Sequence, residues 1–285
     1  TTSGTLTVNG AGITTAGNVA LSAAGLVTVS GSGVIATAGT GTVQVTSSLD
    51  GVTVNAGGIQ AKGTITVQAA GASTLSNVVN ATGTGNISVT NTVGQLTINS
   101  TGLLSAGNIL LSSDGLVTIN SSGVTATAGT GTVQVTSTAG GVAVDGTGIQ
   151  AKGSITIQAA GASSVSNVNN VSGTGNISIT TTAGTLTAAS SGVHSAGNVT
   201  LSAPGLVTIT DAGVSATAGI GTVQVTSTAG GITVNSGGVQ TKGNITLQSS
   251  GDISITDGGV NNSTGTGTVS VTASTGSISL SGAGL

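Results

Sequence analysis

A chain of 285 residues with 3% charged residues, no aromatic residue, no cysteine and 51 glycines against one proline is unlike an average globular sequence. Its formal charge of −3 comes from three lysines and six aspartates, too sparse a set to attract nucleic acid or an anionic membrane surface. Without thiols it forms no disulfide or thiolate metal site. Mean hydropathy is +0.46, yet no run approaches the ~18 apolar residues of a spanning helix, and the apolar phrases are too short for outer-membrane strands. The apolar content is therefore expected to be buried within the protein, with no direct membrane insertion.

Apolar residues come as alternating triplets: Val43-Gln44-Val45, Val52-Thr53-Val54, Ile65-Thr66-Val67, Ile87-Ser88-Val89 and Leu96-Thr97-Ile98. Period-two alternation predicts strands with one buried face. Gly, Asn, Ser and Thr break each run after about five residues, leaving no window for an amphipathic helix. One set of strands starts at Val19, Val43, Ile65, Ile87 and Ile109, and continues to Val269. The first four steps, 24, 22, 22 and 22, sum to 90, after which the cycle restarts; the last step, Ile245 to Val269, is 24 and departs from it. A second strand follows eight or nine residues later (Val27, Val52, Leu96), and a weaker third apolar site near position fifteen (Val34, Ile59, Val124). Three short strands per coil of about 22 residues predict an all-β, right-handed parallel β-helix, a β-solenoid of about thirteen coils and on the order of 60 Å in length.

The 90-residue super-repeat divides the chain into approximate units 1–90, 91–180 and 181–270, with a partial unit 271–285. We expect one continuous solenoid cut from a longer repetitive chain. Two ladders are expected on its outside. A threonine column runs through the second strands (Thr7, Thr28, Thr53), interrupted at Ala143, and an amide ladder follows them (Asn9, Asn55, Asn99, Asn120, Asp145, Asn235). The coils opening at Ile65 and Ile155 read GASTLSNVVNATG and GASSVSNVNNVSG where a second strand is due, and there the sequence predicts a bulge or loop.

Candidate sites are few. His194, the sole histidine, aligns with Thr14 and Leu104 in the other units and has no nucleophile or orienting acid in its phrase; it reads as surface variation. Asp50, Asp114, Asp145, Asp211, Asp252 and Asp257 fall mostly on different coils, and Asp252 and Asp257 flank a strand. They do not make the carboxylate pair of a glycoside hydrolase or a calcium-binding aspartate series. Gly129-Thr130-Gly131 lacks the Lys-Ser/Thr and the helix of a phosphate loop. Asn-x-Ser/Thr sequons at Asn80, Asn99, Asn120, Asn198 and Asn244 are expected by chance in an Asn- and Thr-rich chain. The polar feature most open to a function is the column Lys62, Lys152 and Lys242, the only basic residues, one per super-repeat. At strand spacing these lie about 19 Å apart, as a solubilising edge or a periodic lateral contact. No catalytic, cofactor or metal residue is expected.

The phrases GNVTLSAPGLVTI (197–209) and GNITLQSSGDISITDGGV (243–260) resemble the repeats of filamentous-haemagglutinin-type exoproteins and related autotransporter passengers. The resemblance runs over nearly the whole chain, in a degenerate pattern without a site motif. It implies a bacterial, secreted, cell-surface β-helical rod, adhesive or matrix-building. The expected function is thus non-enzymatic: a structural segment of an extracellular fibre that associates with itself, end to end or laterally, with surface glycans as further possible partners. Three alternatives stand beside it: a curli-like functional amyloid, an ice-binding solenoid and a carbohydrate-active β-helix.

Overall fold

In the computed structural model residues 1–80, 82–126, 130–262 and 265–282 are described. All regular elements among them are β-strands, wound into a parallel solenoid of about twelve turns. The first face carries five-residue strands, from Val19–Ala23 to Val269–Ala273, in one 12-stranded sheet. The second carries three-residue strands such as Val52–Val54 and Leu96–Ile98, and the third strands such as Ile59–Ala61 and Leu103–Ser105. These two faces join as one 23-stranded sheet because Ser163–Asn169 and Leu186–His194 run through the corner between them.

Alternation fixes the register. In Val43–Ser47 the first, third and fifth residues are buried and the second and fourth point outward. Each rung repeats this, so Val45 pairs with Val67, which pairs with Val89 and then Leu111. A one-residue slip would turn every inward side chain to solvent. Val45, Val67, Val89, Leu111 and Val135 are all fully buried, and each such side chain stabilises the fold by about 1.5–3 kcal/mol. Backbone hydrogen bonds run along the axis, from Val43 N–H to Thr64 O at 3.0 Å and from Ile65 N–H to Asn86 O at 2.9 Å. The spacings read from the sequence are the observed register, including the final step from Ile245 to Val269.

The corner between second and third faces turns on residues of positive φ. Ser100 (53°) and Gly102 (67°) make it in one coil, Ser121 (57°) and Gly123 (71°) in the next. Gly102 is required for a second reason, since a Cβ there would sit 2.0 Å from Gly123 O. Coils stack so closely at this corner that only a residue without a side chain fits.

Two expectations are corrected. The coil opening at Ile65 has its second strand, Ser73–Leu75, paired with the strands on both sides. The serine at the first inward position substitutes for a carbonyl: Ser73 Oγ accepts the Val52 N–H at 3.0 Å, and Ser163 Oγ accepts the Val142 N–H at 3.0 Å. What differs is the following corner. Leu75 reaches Val78 across Ser76 and Asn77 alone, with Asn77 at φ 53°, where Ile98 reaches Leu103 across four residues. The coil takes a shorter path and extrudes no loop. Both copies therefore carry the expected irregularity as a register shift at this corner: Leu75 pairs with Ile98 but Val78 with Leu103, and Ser166 pairs with Ala189 but Val168 with Val193.

The expected amide ladder after the second strands is the other correction. It holds at one rung, where Asn120 Nδ2 donates to Asn99 Oδ1 at 3.1 Å; Asp145 bonds its own neighbour, Gly146 N–H. A more regular ladder stands just before the first face. Asn86 Oδ1 accepts the Asn108 N–H, and Asn108 Oδ1 accepts the Thr132 N–H. Asn176, Asn198 and Thr222 repeat the arrangement.

The corner from third to first face alternates in length, a two-coil rhythm beneath the 90-residue repeat. Lys62-Gly63-Thr64 closes one coil in three residues, whereas six residues, Thr37 to Thr42, close the coil before it. Every second coil carries the long form, marked by the Gly-x-Gly phrases at 39–41, 83–85, 129–131, 173–175, 219–221 and 265–267. Gly129 lies outside the described residues.

Candidate interaction surface

The first face is the broadest surface of the solenoid. Its outward positions form two columns, one through Gln44, Thr66, Ser88 and Leu110, the other through Thr46, Gln68, Thr90 and Ser112. Apart from Ala20 and Leu110, all are Ser, Thr or Gln, and none is charged. Three shallow depressions open where this face meets the second. They are flanked by Ser48, Gln68 and Thr92, by Thr138, Gln158 and Thr182, and by Thr228, Gln248 and Ser274, with volumes of 250, 320 and 220 Å³. Each occupies the equivalent place in its repeat, 90 residues on except at Ser274, which the longer last step sets 92 beyond Thr182, so they are properties of the repeat and not a singular pocket.

Charge is sorted by edge. Lys62, Lys152 and Lys242 all sit in the short corner between third and first faces, immediately before the long strands Ile65–Ala69, Ile155–Ala159 and Ile245–Ser249. They are half-buried to exposed, with Lys152 anchored through its backbone N–H to Ala126 O at 3.2 Å. Asp50, Asp114 and Asp252 lie on the opposite edge of the same face, immediately after long strands. Asp145, Asp211 and Asp257 follow second-face strands, on the remaining edge. The expected lysine column exists, and the first face runs from a basic edge to an acidic one.

The aspartates serve corners. Asp50 Oδ1 accepts the Gly51 N–H at 2.7 Å, and Asp211 Oδ2 accepts the Ser190 N–H at 2.9 Å. Asp252 Oδ1 accepts the Ser277 N–H at 2.7 Å and its hydroxyl at 3.0 Å. These bonds, the backbone one first, hold its carboxyl below the usual aspartate value because they favour the charged form. Asp252 and Asp257 stand on different edges, separated by the strand Ile253–Ile255. His194 lies on the third face, its Nδ1 2.7 Å from Ser215 Oγ and its Nε2 2.7 Å from Ser191 O. The carbonyl only accepts, so Nε2 carries a proton; both nitrogens are occupied, Nε2 by a backbone carbonyl and Nδ1 by the side-chain hydroxyl of the next coil. No cluster of three or more potential metal-ligating side chains occurs among the described residues.

The sequons are mostly structural. Asn80 is buried and its Oδ1 accepts the Ala106 N–H; Asn198 and Asn244 are rungs of the ladder before the first face. Sequence reasoning missed that ladder, although its signal was present as Asn or Thr directly before the long strands at Val19, Val43, Ile65, Ile87 and Ile109.

No family model, no curated protein and no solved structure matches this chain. The arrangement offers a neutral hydroxyl- and amide-bearing face between edges of opposite sign.

Proposed function

We propose that the chain is a non-catalytic structural segment of a bacterial extracellular or cell-surface fibre, an adhesin shaft, stalk or matrix filament that associates with copies of itself. The observation that carries this reading is the use of the whole chain for one continuous ladder. Inward positions repeat Val, Ile and Leu from coil to coil, outward positions of the first face are almost all Ser, Thr or Gln, and charges are kept to corners. A rod of this kind resists extension because pulling along its axis loads every backbone hydrogen bond of a coil together. Three lysines and no arginine or aromatic residue leave few cleavage points for common proteases, which suits an exposed fibre. The resemblance to haemagglutinin-type repeats supports the same reading.

The test is immunogold labelling of intact cells of the source organism with antibody raised against the purified chain. Label on extended surface structures is expected, and label confined to the cytosol overturns the proposal. Refolding from denaturant separates the curli-like alternative. The solenoid regains its fold as a soluble rod without a concentration-dependent lag, whereas a lag followed by dye-binding fibrils favours amyloid.

A further inference from the structure

We infer that the first face is a docking surface for a second copy of this chain, laid parallel and in register, with a two-fold axis along the rods. This rests on the fibre reading and names the partner and its orientation. A two-fold axis parallel to the rods places the basic edge of one copy against the acidic edge of the other. An axis across the rods would set lysine edge on lysine edge and aspartate edge on aspartate edge, which like-charge repulsion opposes.

The heights along the rod agree with the parallel form. Lys242 and Asp252 bracket the same long strand, Ile245–Ser249. Lys62 precedes Ile65–Ala69, and Asp50 follows the strand one rung earlier, Val43–Ser47. In register, Lys62 and Lys242 therefore each meet an aspartate of the second copy within about one rung, roughly 5 Å. An apolar pair obeys the same rule. Ile220, 88% exposed, precedes Val223–Ser227 on the basic edge, and Leu206, 41% exposed, follows Val199–Ala203, one rung earlier, on the acidic edge. Two-fold symmetry doubles all three contacts. Lys152 is the exception, two rungs from Asp114. Between the edges the two columns of one copy oppose those of the other and bring Ser, Thr and Gln together without a charge. Twelve rungs of five-residue strands give a face on the order of 55 Å by 16 Å, roughly 900 Å² per copy, the area of a standard stable interface.

Sedimentation equilibrium of the full chain tests this. The unaltered chain is expected to dimerise. Lys62→Asp with Lys242→Asp makes both edges acidic, and Asp50→Lys with Asp252→Lys makes both basic; each variant alone should dissociate roughly tenfold more readily or worse, and an equimolar mixture should recover the dimer. Circular dichroism confirms that each variant folds. Orientation is read from a spin label on Ser22→Cys, in a chain with no other cysteine. A separation of about 20 Å or less is expected, whereas an antiparallel pair gives on the order of 50 Å. A monomer at all concentrations, a dimer indifferent to both sets of substitutions, or the long separation overturns the inference. Each of these leaves the fibre reading to be decided by the surface labelling.

Discussion

Val135 and Thr138 lie three positions apart in one coil and meet opposite environments. Val135 is fully buried between Leu111 and Ile157 in the ladder; Thr138 is exposed, its hydroxyl on Asp114 Oδ1 at 3.2 Å. Val135→Asp places an unpaired charge in the core and should cost about 3 kcal/mol or more, whereas Thr138→Ala should cost less than about 1 kcal/mol. Thermal melting of the two variants checks this, and equal effects would contradict the inward assignment. Polar groups at the last inward position of the first face are met unevenly. Ser113 Oγ and Ser137 Oγ donate to Gly94 O and Gly115 O of the coil before, each at 2.7 Å, whereas Asn91 Oδ1 and Thr181 Oγ1 at the same position are buried without a partner.

The element that distinguishes one coil from another is the corner, since the strands are nearly interchangeable. At the corner between second and third faces nine of the described residues other than glycine hold positive φ, Ala56 among them at 50°. A left-handed alanine costs roughly 1–2 kcal/mol, and Ala56 has no side-chain hydrogen bond to offset it. Ala56→Gly, which relieves that strain at some cost in unfolded-state entropy, should raise stability by up to about 1 kcal/mol, read as a higher melting temperature. Strand positions were legible in the sequence because alternation with Val, Ile and Leu states burial directly. The corners were not. GASTLSNVV suggested a missing strand because Ser73 occupies an apolar position, and nothing in the sequence says that its hydroxyl replaces a backbone acceptor. The Lys62, Lys152 and Lys242 column could be read from spacing alone. Its opposition to Asp50 and Asp252 across one face needed the coil path, since those aspartates follow no common period.

For the whole molecule, each coil contacts its neighbours and little else, so stability is approximately a sum over coils and interfaces. Because the ladder of residues 1–90 continues in the same phase into 91–180 and 181–270, removal of residues 91–180 joins Thr90 to Thr181 without disturbing register. The shortened chain should fold to the same circular dichroism per residue, in a rod shorter by four rungs, about 19 Å, as small-angle scattering would show. Loss of folded signal would mean that the units depend on distant parts of the chain. The phase match also bears on inheritance. Copies that carry the same VQVTS phrase at Val43, Val133 and Val223 are substrates for unequal crossing-over in the coding DNA. Each exchange between equivalent points would add or remove one unit and leave every corner intact. Solenoid length thereby becomes a trait that can vary between lineages in fixed steps, with no intermediate that fails to fold.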